Sequence, residues 1–157
     1  MIYFKSVQLP DNEKQLLETA MRKVAIKRTR SLDFTSAEHN MGSEKLFLGL
    51  DDKRDVKFTR LHTSLEKLLP KIVISFPKDE TNSGYRLRLG FFPTCLFVFL
   101  AMGLLATGLS ALINHEDYAA MVAPVFFLGV FIFLIWLELK IVDRQMKKAV
   151  ERYEKGN

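Results

Sequence analysis

The sequence has a single cysteine, Cys95, and none of the short motifs that mark common catalytic or nucleotide-binding sites. One cysteine can form neither an intrachain disulfide nor a cysteine-based metal site. The patterns HExxH, GxSxG, GxGxxG and the P-loop are all absent from the sequence. Their absence removes any motif-based case for a zinc protease, a serine hydrolase, a dinucleotide-binding enzyme or a P-loop nucleotidase.

Histidine is also scarce, and the three histidines lie in unrelated segments: His39, His62 and His115. Arg60 and His62 alternate on one predicted strand with Asp55 nearby, a pattern that favours a solvent-facing side of a sheet. The polar segment around His115 is expected to be the tip of a hairpin rather than a metal site. We therefore predict a protein that is not an enzyme and has no cofactor, no metal ion and no catalytic residue.

Two long stretches contain no charged residue, and they are the most informative part of the sequence. Leu89–Ile113 has 25 uncharged residues and Ala119–Leu137 has 19. A bilayer core about 30 Å thick is crossed by roughly 20 apolar residues in a helix. The five-residue connection Asn114–Tyr118 leaves room only for a tight turn. The pattern predicts a two-pass transmembrane hairpin over residues 89–142, with the second helix extending beyond its apolar run.

Positive charge is confined to the two sides of this hairpin. Residues 1–88 contain 17 Lys and Arg, residues 138–157 contain six, and the connection contains none. Because basic residues are retained on the cytoplasmic side of a membrane, both termini are expected to be cytoplasmic. The expected location is a bacterial inner membrane or a plasma membrane.

Basic and aromatic residues near the ends of the apolar runs are expected to lie at the membrane interface. These predicted interface residues are Arg86, Arg88, Trp136, Lys140 and Arg144. The net charge of +5 is explained by membrane insertion and by attraction to anionic lipid headgroups, about 1 kcal/mol per basic residue near the surface. We expect the bilayer to be a partner and nucleic acid not to be one.

Residues 1–88 alternate between strand and helix patterns, which predicts a small cytoplasmic α+β domain. The expected order is a strand over 2–8, a helix over 11–26 and then five strands, with an antiparallel β meander under the one helix. Those five strands are expected at 28–35, 45–50, 56–62, 71–76 and 85–89. The last strand enters the first membrane helix without a linker, so the domain is expected to lie against the bilayer.

Small residues on the two apolar runs form a candidate helix-packing surface. They include Gly103, Thr107, Ala123 and Gly129. Small residues let helices approach closely in lipid, and the favoured interpretation is contact within the hairpin, with contact to another molecule as the alternative. An amphipathic stripe continues through the tail, residues 143–157. Docking of this stripe on the cytoplasmic domain is favoured over pairing with another copy or lying on the headgroups.

The function that these features favour is a two-pass integral membrane protein whose cytoplasmic domain is a non-enzymatic binding or interaction module. Two alternatives remain: an oligomerising membrane effector gated by a signal at that domain, and an auxiliary subunit of a larger membrane complex. The partner is expected to be an unknown protein or a second copy of the chain.

Overall fold

The described part of the chain combines one β-sheet with three α-helices, which is the predicted α+β class. A computed structural model describes residues 3–29, 31–34, 45–63, 65–79, 84–114 and 119–156. The strands are β1 (Tyr3–Gln8), β2 (Ala25–Arg28), β3 (Phe47–Asp51), β4 (Asp55–Arg60), β5 (Ile72–Pro77) and β6 (Gly84–Leu89). The α-helices are α1 (Asp11–Lys23), α2 (Phe91–Asn114) and α3 (Ala119–Lys155), and 3-10 turns form at Leu32–Phe34 and Leu65–Leu68.

The sheet is mixed, so the prediction of an antiparallel meander is only partly right. The strand order is β1-β6-β5-β4-β3-β2. The run from β3 to β6 is antiparallel as predicted. However, β2 pairs with β3 in parallel and β1 pairs with β6, so β1 and β2 form opposite edges. α1 connects β1 to β2, and a helical crossover of this kind carries the chain from one edge of the sheet to the other with the strand direction kept.

The segment after α1 differs from the predicted helix over 11–26 and strand over 28–35. The helix ends at Lys23, and β2 begins at Ala25. The carbonyl of Val24 accepts hydrogen bonds from the N–H groups of Leu46 (3.0 Å) and Phe47 (3.4 Å), which begins the pairing with β3. This long-range pairing overrides the helical spacing.

The main hydrophobic core lies on one face of the sheet, where α1 and the second half of α3 pack. Val142, Met146 and Ala149 of α3 are buried in this core. The predicted docking of the tail on the domain is therefore confirmed. Because α3 is a single helix from Ala119 to Lys155, it crosses the predicted boundary at residue 142 without a break. One helix thus supplies an apolar membrane-length segment and a part of the domain core.

The passage from the sheet into α2 is one residue long. Gly90 donates its N–H to the carbonyl of Lys71 at 2.7 Å. A Cβ atom at Gly90 would lie 3.3 Å from that same oxygen, so a larger residue would have to displace the backbone. The predicted absence of a flexible linker is thus confirmed.

The apolar segments of α2 and α3 are long and apolar enough to cross a membrane. Their mean hydropathies reach 2.3 and 2.4, and only 6% and 17% of these apolar windows is buried within the molecule. A core helix of a globular domain would bury most of such a surface. The apolar side chains here point outward instead.

We predict that Met146→Ala lowers the free energy of unfolding by about 2–5 kcal/mol, the usual cost of truncating a buried methionine. Lys148→Ala, on the exposed side of the same helix, should change it by less than about 0.5 kcal/mol. Urea unfolding in mild detergent, followed by the fluorescence of the single tryptophan, measures both. Equal stability of the two variants would show that α3 is not part of the folded core.

Candidate functional site

A buried carboxylate on α3 holds this helix to the sheet directly after its apolar segment. Glu138 is fully buried. Arg60, at the end of β4, donates to Glu138 through Nε (3.1 Å to Oε1) and Nη2 (2.8 Å to Oε2). His62 Nε2 lies 3.2 Å from the same Oε1. Both carboxylate oxygens are therefore used by residues of the sheet domain.

Arg60 also connects this carboxylate to the loop that follows β4. Its Nη1 donates to Glu66 Oε2 at 2.8 Å. The N–H and hydroxyl of Thr63 donate to the same oxygen, each at 3.0 Å. We call Arg60, His62, Glu66 and Glu138 the Arg60 clamp.

Electrostatic interactions keep Arg60 and Glu66 in their charged forms. Burial by itself would lower the pKa of Arg60, but the hydrogen bonds and charges of Glu138 and Glu66 outweigh it and raise that pKa. Burial would likewise raise the pKa of Glu66, yet the Thr63 N–H and Arg60 lower it. The prediction that Arg60 and His62 face solvent is wrong, since Arg60 is only 3% exposed. Asp55 lies at the opposite end of β4.

A second buried ion pair holds the start of α2. Arg88 donates through Nη1 and Nη2 to the two carboxylate oxygens of Asp33, both at 3.1 Å. The backbone N–H of Phe91 donates to Asp33 Oδ1, also at 3.1 Å. Burial would raise the pKa of Asp33, but Arg88 and the Phe91 N–H lower it. We call this pair the Asp33 clamp.

The Asp33 clamp corrects the interpretation of Arg88 as a headgroup-facing residue. Arg88 is 4% exposed, because the alternation of β6 turns it to the side of the sheet where the 3-10 turn places Asp33. The two clamps act alike: each fixes one membrane-length helix to the sheet through a buried carboxylate and an arginine fork. Breaking such a pair by removing one partner costs roughly 3–5 kcal/mol.

The other predicted interface residues are partly or fully exposed. Trp136 is 50% exposed, and Lys140 Nζ lies 3.9 Å from the centre of its ring. The guanidinium of Arg86 lies 5.8 Å from the ring centre of Tyr3. Arg144 is exposed on α3.

Exposed aromatic residues collect where the sheet meets the apolar helices. They are Tyr3, Phe4, Phe91, Phe92 and Trp136, each between 37% and 62% exposed. Tyr3 and Phe4 join this group because β1 pairs with β6, and Tyr3 lies opposite Arg88 in the register. Such aromatic groups are typical of the boundary between lipid and water.

A groove of about 620 Å³ runs between α3 and the β1–β6 side of the sheet. Its apolar side chains are Tyr85, Leu87, Leu139, Val142 and Met146, and Trp136 also lines it. Its charged side chains are Lys5, Lys140, Asp143, Arg144 and Lys147. Asp143 pairs with Lys147 at 3.1 Å. The groove therefore has an apolar wall and an excess of positive charge.

Of the small residues predicted to pack the hairpin, Gly103, Ala123 and Gly129 do not make its internal contact. A Cβ atom at Gly103 or Gly129 would meet nothing within 4 Å, and Ala123 is exposed. The hydroxyl of Thr107 donates within its own helix, to the carbonyl of Gly103 at 3.0 Å.

Aromatic side chains contribute to the hairpin contact instead, with the rings of Phe97 and Phe131 6.3 Å apart. Phe131 is only 6% exposed. The favoured interpretation of contact within the hairpin is thus wrong for Gly103 and Gly129. Contact with another molecule stays a prediction.

The described residues contain no group of three or more His, Cys, Asp or Glu side chains arranged to hold a metal ion. His39 and His115 lie outside them. Comparison with protein-family models, with curated proteins and with solved structures finds no match.

Sequence reasoning missed Asp33, Glu66 and Glu138 as members of the two clamps. For Glu138 a signal was present, because it is the first charge after 19 uncharged residues in a continuous helical pattern. An ionisable residue at such a place is expected to have a named partner. Nothing in the local sequence identifies that partner as Arg60, 78 residues away.

We predict that Glu138→Gln lowers the free energy of unfolding by about 3–5 kcal/mol, because Arg60 then keeps a buried charge without its main partner. The double variant Arg60→Met with Glu138→Leu should recover most of this loss, since an apolar pair can replace a buried ion pair. Thermal unfolding in mild detergent measures each variant.

The control is Glu18→Gln, which breaks a surface ion pair with Arg22 whose side chains are 24% and 43% exposed. Its cost should stay below about 1 kcal/mol. A Glu138→Gln protein as stable as the Glu18→Gln protein would contradict the assignment of the Arg60 clamp as the fixed connection between helix and sheet.

Proposed function

We propose that this chain is a two-pass integral membrane protein whose sheet domain lies against the cytoplasmic face of the bilayer and acts as a non-enzymatic binding module. The proposal places α2 and the first part of α3 in the membrane. The groove between α3 and β6 is the proposed binding surface.

The observation that carries this proposal is the position of the groove. It begins beside Trp136, at the end of the uncharged segment of α3, and continues along the charged part of the same helix. It combines apolar walls with exposed charge near the group of exposed aromatic residues. Clefts with apolar walls and a few placed polar groups are the usual form of a ligand site.

The geometry of the buried charges favours binding over catalysis. Both oxygens of Glu138 and both oxygens of Asp33 already accept hydrogen bonds from the protein. A general acid or base has to reach a substrate proton, whereas these carboxylates are enclosed by their arginines. We assign them to holding the domain and the helices in one orientation.

The outward position of Gly103 and Gly129 favours a second candidate, an oligomerising membrane effector. Small residues on a lipid-facing surface allow another helix to approach closely. The oligomeric state of the full chain in mild detergent separates the two candidates: a tethered binding module is expected to be monomeric, and an effector is expected to form a larger assembly.

The proposed orientation predicts opposite labelling at two positions. In a Cys95→Ala background, a cysteine at His115 should react with a membrane-impermeant thiol reagent added outside intact cells. A cysteine at Lys148 should react only after the cells are opened. The basic residues around Lys148 predict that this side is cytoplasmic. Labelling of Lys148→Cys in intact cells would therefore contradict the proposed orientation.

The binding role of the groove predicts position-specific crosslinking. A photo-crosslinking amino acid in place of Arg144, which lines the groove, should form a discrete adduct in membranes containing the full chain. The same amino acid in place of Lys148, one helical turn away and outside the groove lining, is the control. Mass spectrometry of the adduct identifies the bound molecule. Equal crosslinking from both positions would show that the groove is not a specific binding site.

A further inference from the structure

The groove on α3 has the chemistry of a site for an amphiphilic anion. We propose that it binds an anionic phospholipid of the surrounding leaflet, with the phosphate of the headgroup held by Lys5, Lys140 and Arg144. This inference rests on the proposed function, because it needs α3 to cross the membrane.

The charges of the groove favour an anionic ligand. Lys5, Lys140 and Arg144 are exposed, and none of them has a carboxylate partner among the residues that the structure describes. The one acidic side chain of the groove, Asp143, is neutralised by Lys147. Three cations thus remain for a ligand, and they come from two different elements, β1 and α3.

The depth of these cations matches the headgroup layer. Trp136 marks the end of the uncharged segment, and Lys140 and Arg144 follow it by about 6 and 12 Å along the helix at about 1.5 Å per residue. The polar layer on each side of a bilayer core is about 5–8 Å thick. Lys140 therefore lies within this layer, and Arg144 reaches it with its long side chain.

Lys5 completes the site from the opposite wall. It pairs in register with Leu87, four residues before the start of α2. The sheet therefore brings a lysine from the beginning of the sequence to the level of the helix cations. Because its cations come from both walls, the groove differs from a row of basic residues on one face of a single helix.

The apolar walls decide between a lipid and a small soluble anion. Leu87, Leu139 and Val142 line the groove beside the cations, and free phosphate would leave this surface in contact with water. The glycerol and upper acyl carbons of a phospholipid would cover it, at about 25 cal/mol per Å² of apolar surface removed from water. A lipid also reaches the groove by lateral diffusion, because Trp136 is next to the proposed membrane segment.

The single tryptophan provides the measurement. The full chain is reconstituted into phosphatidylcholine bilayers that contain increasing fractions of brominated phosphatidylglycerol or of brominated phosphatidylcholine. Bromine quenches Trp136 only from adjacent lipid, so the two titrations give the relative association constant of the anionic lipid. We expect a preference for the anionic lipid of about fivefold for each cation that contacts it.

Two double variants, each of which removes two positive charges, test whether the groove cations bind the lipid. Lys5→Gln with Arg144→Gln should lower the relative association constant about 25-fold, to the roughly fivefold preference that Lys140 alone provides. Lys27→Gln with Lys148→Gln removes two exposed cations outside the groove and should keep the preference. Both pairs of positions are exposed, so circular dichroism should show the same fold for both variants.

Three results would overturn the inference. The first is equal quenching by the two brominated lipids in the unsubstituted chain. The second is an equal loss of preference in both double variants, which would indicate general surface attraction. The third is a change in Trp136 emission with inorganic phosphate alone, which would indicate a soluble anion. If position 144 crosslinks to a protein and the chain shows no preference for the anionic lipid, the proposed binding function is retained. Only the assignment of a lipid as the ligand is then rejected.

Discussion

The rest of the structure depends on the packing of α3 into the sheet domain. This helix has an uncharged, apolar first half and an amphipathic second half. Val142, Met146 and Ala149 of the second half complete the main core. A domain formed by residues 1–88 alone would be small, and only α1 would cover that face of the sheet. Small domains bury a low fraction of their apolar surface, so the contribution from α3 is a condition for a stable sheet.

Buried ion pairs at both helices then fix the direction in which each helix leaves the domain. The Arg60 clamp holds α3, the Asp33 clamp holds α2, and Gly90 leaves no free linker between β6 and α2. Apolar packing by itself is non-directional. Arginine–carboxylate forks add a defined geometry, at the cost of burying charges that would be expensive without their partners.

This construction has a consequence for the proposed function. A domain on a flexible tether would sample many orientations, whereas this domain is connected to two helices at two fixed points. The groove is formed by both parts, with Lys5 and Leu87 from the sheet and Lys140 and Arg144 from α3. A ligand in the groove would therefore contact the sheet and α3 at once. That arrangement fits a module that recognises something at the membrane surface.

The sequence by itself determined the features that depend on local pattern. Two uncharged runs predicted two apolar helices, and alternation predicted the hairpin of β3 and β4 and the strands β5 and β6. The 3-4 spacing of Val142, Met146 and Ala149 predicted the docking stripe. These signals are readable because periodicity within one element reports which of its faces is apolar.

Only the tertiary structure decided which distant residues meet. The pairing of β1 with β6 brings Lys5 and Tyr3 beside the strand that leads into α2, and the pairing of β2 with β3 replaces the predicted strand at 28–35. Arg60 and Arg88 look like solvent-facing or headgroup-facing cations in the sequence, and each is buried against a carboxylate from another segment. Local pattern cannot show this, because the partner of a buried charge is set by the fold and not by its neighbours in the chain.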